Sequence, residues 1–260
     1  MLFNAGVLDL NGVLLRENYV IETMGVINPE MRAEAKKLLA RDKSRLENVS
    51  DVYDLFPKYG ITEEIAVPAA RVATNKDCTI KPVMDLIKKH PFELIIITTN
   101  SGPYDTFLSK NKYFDKITSA KIMPFTVQLG EREDGILEIQ PDSFCKAQER
   151  GKIARIIRKD YCTLTMGDDE GDGTNYDLVR SGDFGILFND KSNKGYQIKG
   201  NVATDVRYKD LPEIEKIIEK MPQPKKEKPG FVEQCLQELS KQNPLSSYSN
   251  AVPMCTPRCI

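Results

Sequence analysis

The chain has 260 residues, with 37 basic and 38 acidic side chains and a formal net charge of -1. That balance leaves no electrostatic footprint for a nucleic-acid or membrane-surface partner. Hydrophobic residues at 40% and charged residues at 29% suit a globular core in one α/β unit with an insertion, or in two small domains.

The first residues, MLFNAGVLDL, carry no basic leader and run directly into a strand-like segment. Six cysteines at wide spacings except for the last pair, CTPRC, with no CxxC pair and a lone His90, predict reduced thiols in a cytoplasmic protein without a zinc site. The segment AGVLDLNGVLL is apolar on both faces, the pattern of a central parallel strand. Asn28-Pro29 reads as a cap and first residue of a helix running through EMRAEAKKLLARDKSRLEN. Further helices are predicted at 51–58, 62–72 and 82–90. FELIIITTN returns to the buried-strand pattern, and its LIIIT core is far short of the roughly 20 residues that span a bilayer.

Strand candidates then follow at KITSAKIM, GILEIQ, YCTLTMGD, FGILFND and NVATDV. They alternate with helices at 102–112, 144–159, 174–181 and 211–220. This alternation predicts an α/β fold, a doubly wound parallel sheet of Rossmann-like type. The helical block after the first strand reads as an inserted cap. The expected organisation is a core of residues 1–15 and 81–221, a helical cap over 16–80, and a flexible C-terminal tail over 222–260. The tail opens on a Pro/Lys run, PQPKKEKPG, and ends in a Ser/Pro/Asn-rich stretch.

Four features fall at predicted strand ends, the edge where open α/β sheets bind ligands. Asp9 ends the first strand, with Gly12 permitting a sharp turn; a carboxylate there can attack phosphorus or hold a metal, or can merely brace the turn. In LIIITTNSG, the hydroxyls of Thr98, Thr99 and Ser101 compete to hold phosphate oxygens. Lys146 starts a helix where it can neutralise a phosphate, with Lys152 as an alternative. In TLTMGDDEGDGTNYD, the residues Asp168, Asp169, Glu170, Asp172 and Asp177 crowd one turn. Such repulsion is relieved by a hard cation such as magnesium.

The order Asp-x-x-Gly-Val, strand-Thr-Asn, Lys, then Gly-Asp-x-x-x-Asp resembles the four-motif signature of the haloacid dehalogenase-like superfamily over residues 2–220. The 22 positions from Lys146 to Asp168 and the cap's place are most similar to the phosphoserine-phosphatase-like branch. The resemblance implies a magnesium-dependent phosphatase acting on a small phosphorylated substrate through an aspartyl-phosphate on Asp9. It implies Mg2+ held by Asp9, the Asn11 carbonyl and Asp168, and a phosphoryl group held by Thr99, Asn100 and Lys146. Asp172 is the implied support, with Asp169 or Asp177 able to share that work.

One position departs from the family pattern. Phosphatases of this superfamily usually carry a second Asp two residues after the nucleophile, and here Asn11 stands there. An amide cannot supply general acid–base help, which is typically worth about 10²- to 10⁴-fold. A phosphotransferase, or a regulatory binding protein with the same fold, is the alternative outcome. The cap's charged residues Glu17, Glu22, Arg41 and Arg45 are candidates to meet a polar substrate.

Overall fold

The computed structural model describes residues 3–16, 18–41, 45–74, 79–90, 93–98, 120–124, 129–139, 149–168 and 174–221. The C-terminal tail and the 102–112 helix expectation lie outside the described residues. So does the first part of the 144–159 helix.

The centre of the fold is β1 (Ala5–Asp9), every residue of which is buried. It pairs in parallel with β2 (Glu93–Thr98) on one side and β6 (Thr163–Asp168) on the other. The seven-stranded order is β3-β2-β1-β6-β7-β9-β8, completed by β3 (Ala120–Pro124), β7 (Phe184–Phe188), β8 (Gln197–Lys199) and β9 (Val202–Val206). All neighbours are parallel except β8–β9, so β8 is an antiparallel edge. The chain builds outward from β1 through β2 to β3, then returns to β6 on the other side. That reversal is the switch point where such sheets open a crevice at their carboxyl ends. Asp9 and Asp168 are the last residues of the two strands flanking it.

Between β1 and β2 lie α1 (Tyr19–Ile27), α2 (Pro29–Leu39), α3 (Arg45–Tyr53), α4 (Leu55–Lys58), α5 (Glu63–Thr74) and α6 (Lys81–Lys89). The sequence reading missed α1. Its YVIETMGVI is rich in β-branched and apolar residues and lacks a polar stripe, so no helical periodicity stands out. Its cap is nonetheless explicit, since Asn18 Oδ1 accepts from the Val20 N–H at 3.0 Å. Asn28 caps α2 as expected, with Pro29 in the first turn. The single long helix expected after it is two helices, α2 and α3. The base of this insert closes where Leu15 bridges Thr79 and the Ile80 N–H donates to the Leu14 carbonyl at 2.9 Å.

GILEIQ was expected among the strands of the main sheet. It instead supplies β5 (Leu137–Ile139), which pairs antiparallel with β4 (Leu129–Glu131) in a separate hairpin. The hairpin sits on the helical insert: Thr62 bridges Ile136, and the Leu137 N–H donates to the Ile61 carbonyl at 2.8 Å. Leu137 thus joins one continuous apolar cluster containing Leu8 and Met166 of the sheet and Met24 and Phe56 of the insert. The remaining helices are α7 (Glu149–Asp160), α8 (Thr174–Ser181) and α9 (Leu211–Lys220), the last preceded by a 3₁₀ turn at Tyr208–Asp210. α9 is tied to α6 by Glu215, whose Oε1 lies 2.6 Å from both Lys89 Nζ and His90 Nε2. No helix among the described residues is long and apolar enough to cross a membrane.

Candidate active site at the switch point

Four polar side chains are buried at the carboxyl end of the sheet or on the helices beside it, and three of them, Asp9, Arg150 and Asn175, bond to one another. Asp9 is 3% exposed, Asn11 7%, Arg150 2% and Asn175 3%. Ionisable groups are almost never this buried without partners. Arg150 supplies one partner: its Nη1 lies 3.1 Å from Asp9 Oδ2 and donates to Asn175 Oδ1 at 2.7 Å. The Asn175 amide nitrogen donates to Asp9 Oδ2 at 3.1 Å and to Asp168 Oδ1 at 2.7 Å. The two strand-end carboxylates are thus separated by a single donor nitrogen. Asp9 Oδ1 accepts from the Leu10 N–H at 2.8 Å.

The turn after β1 is wound to fit Asp168. Gly12 has φ +71°, and a Cβ there would sit 2.3 Å from Asp168 Oδ2. Only glycine meets both demands, the left-handed backbone and the close approach. Gly167 plays a matching part, because a Cβ there would fall 2.8 Å from Asn175 Cβ. Its absence lets the first turn of α8 close on the end of β6.

Two buried atoms of this cluster have no hydrogen-bond partner among the described residues: Asn11 Oδ1 and Arg150 Nε. One is an unspent acceptor and the other an unspent donor. Buried polar atoms in folded proteins are ordinarily satisfied, so both are sites where a ligand or water fits. The donors also suit magnesium, a hard cation that takes carboxylate and carbonyl oxygens. Asp9, Asp168 and Arg150 together carry one net negative charge, with the Asn175 amide nitrogen between the two carboxylates.

Of the sequence candidates, Asp9, Asn11 and Asp168 come together here. Thr99, Asn100, Lys146, Asp169 and Asp172 lie outside the described residues. Lys152 is exposed on α7. Asp177 is on α8, accepting from Arg155 Nη1 at 2.9 Å. In the insert, Glu22 pairs with Arg32 and Arg41 with Asp51.

Arg150 and Asn175 were missed, yet each carried a signal. Arg150, Ile153, Ala154 and Ile157 share one helical face by their spacing, and all four are buried. Asn175, Leu178 and Val179 repeat the pattern on α8. A polar residue at the head of an apolar stripe marks a group carried into the interior.

The sheet order and the helical insert after β1 together give the chain the fold seen in phosphoserine phosphatases. A phosphoserine phosphatase from T. onnurineus superposes with TM-score 0.53 at 18% identity, over 85% of this chain and 96% of that one. A phosphoserine phosphatase solved as a phospho-aspartyl intermediate analogue gives TM-score 0.51 at 14% identity, over 71% and 86% of the two chains. A substrate-bound phosphoserine phosphatase complex gives TM-score 0.51 at 14% identity, over 71% and 85%. No protein-family model matches the chain, and no curated protein matches it in sequence.

Proposed function

We propose that the protein is a magnesium-dependent phosphatase of a small phosphorylated metabolite, with Asp9 as the phosphate acceptor. The observation that carries this reading is the buried Asp9–Arg150–Asn175–Asp168 cluster at the switch point of the sheet. Its likeness to the fold of phosphoserine phosphatases, one of them solved as a phospho-aspartyl analogue, supports it.

In this reading an Asp9 carboxylate oxygen attacks phosphorus and the bond from phosphorus to the leaving oxygen breaks. The leaving oxygen takes its proton from water. A second water then attacks phosphorus, releasing phosphate and restoring the carboxylate. Asp9, Asp168 and the Asn11 carbonyl would hold magnesium, which supplies charge neutralisation for the incoming phosphoryl group. Arg150 holds Asp9 in place, and its buried Nε–H keeps a free hydrogen-bonding capacity beside the pair. Lys146, Thr99 and Asn100 complete the phosphate contacts, and Asp172 supports the site. The helical insert selects the substrate, and a cytoplasmic location goes with this assignment.

One observation favours a second reading, a binding protein of the same fold. Both oxygens of Asp9 already accept hydrogen bonds, and Asn11 offers no proton. Asn11→Asp separates the two. For an enzyme lacking its proton donor, this change is expected to raise turnover of an alkyl phosphate about ten-fold or more, the low end of general acid catalysis. An aryl phosphate, whose leaving group needs little protonation, is expected to gain less. The assay is a phosphometabolite panel with and without magnesium. Inactivity of Asn11→Asp on every phosphate, with magnesium still bound, would favour the binding protein.

A further inference from the structure

We propose that Tyr208 is a positioning residue that clamps the turn following Asp9 and so fixes the Asn11 carbonyl toward the cation site. This rests on the reading of the Asp9 site given above and extends it to a residue far away in sequence. Tyr208 Oη donates to the Gly12 carbonyl oxygen at 2.9 Å, across 196 positions of chain. On the other side of the same residue, the Gly12 N–H donates to the Leu15 carbonyl at 2.7 Å. Gly12 is therefore pinned at both ends. Because the peptide bond is planar and trans, the Asn11 carbonyl points opposite to the Gly12 N–H, away from Leu15. A glycine at φ +71° left unpinned has more conformations open to it than any other residue.

The fold spends considerable structure on bringing Tyr208 to this place. The β7–β9 register shifts between Ile186 and Phe188, at the carboxyl end of the sheet. Beside the shift, Asp205 has φ +55°, the one non-glycine residue with positive φ among those described. Such irregularities re-aim the chain next to functional sites. The strain is held by Asp205 Oδ1, which accepts from Asn189 Nδ2 at 3.2 Å and Ser192 Oγ at 3.0 Å. The Asn189 N–H donates to the Val206 carbonyl at 2.9 Å, and the Tyr208 N–H to Asp190 Oδ1 at 3.2 Å. The Tyr208 ring then rests against Phe188, centroids 5.2 Å apart. Burial, with Asp190 and Asp168 nearby, pushes the phenol up to about 12, so it stays a donor throughout the working pH range.

The test compares Tyr208→Phe, which removes only the hydroxyl, with Phe188→Leu, which loosens the ring packing and keeps it. Three quantities are read: magnesium affinity by calorimetry, hydrogen exchange at the Gly12 amide, and kcat and KM on an aryl phosphate. A neutral hydrogen bond of ordinary net strength corresponds to an expected loss of magnesium affinity of roughly two- to ten-fold in Tyr208→Phe. Gly12 exchange should quicken and kcat should fall with KM little changed. Phe188→Leu should lower the melting temperature and cost less magnesium affinity than Tyr208→Phe. Unchanged affinity and exchange in Tyr208→Phe overturn the proposal, as does an equal loss of affinity in Phe188→Leu. A wild type that binds no magnesium overturns the site reading first, and the positioning role with it.

Discussion

Arg150→Met is expected to cost about 3–5 kcal/mol of folding stability in magnesium-free buffer, the range for breaking a buried ion pair by deleting one partner. The reason is what remains behind. Asp9 would stay 3% exposed with its guanidinium gone and only the Asn175 amide on Oδ2. An isolated carboxylate in that position either takes up a proton or forces the site open. Methionine keeps the length and apolar stem of the side chain on the buried face it shares with Ile153 and Ala154. Magnesium should restore part of the loss, because a second cation beside Asp9 then replaces the first. Denaturant unfolding with and without magnesium reads both effects. Stability unchanged in magnesium-free buffer would mean that the pair is dispensable.

Asp168→Asn should behave in the opposite way. Turnover is expected to fall below detection and magnesium affinity by at least about 100-fold, the upper range for loss of even an outer-shell metal partner. Folding stability should be kept, since one of two facing carboxylates becomes neutral and Arg150 still balances Asp9. The two variants would thus separate the roles proposed for Arg150, in the fold of the site, and for Asp168, in its chemistry. Unchanged magnesium affinity by calorimetry in Asp168→Asn would remove Asp168 from the cation site.

Much of this was legible in the sequence, for identifiable reasons. β1 is apolar on both faces, β6 follows as a buried β-branched and apolar run, and they end in Asp9 and Asp168, so pattern and punctuation agree. α8 and α9 fall at the predicted limits because each starts at a composition break and carries a clear apolar stripe. α1 escaped because it is apolar nearly all round, which periodicity cannot tell from a strand. β5 was legible within GILEIQ, but its hairpin partner β4 escaped because it is only three residues long and partly exposed. Arg150 hid within ERGKIARIIRKD, where its charge looks like one more solvated group until the helical face is drawn. Tyr208 had no local signal at all, since its role depends on a bulge and a turn brought together only by the sheet.

The central claim is a phosphoryl group carried by Asp9. Rapid acid quench of the protein with an aryl phosphate, then peptide mass spectrometry, tests it most directly. With Asn11 unable to activate water, the aspartyl-phosphate should accumulate. The expected result is a phosphoryl increment on the peptide containing Asp9, dependent on magnesium and absent in Asp9→Asn. Turnover with no covalent phosphate, or with the phosphate on another residue, would contradict the account.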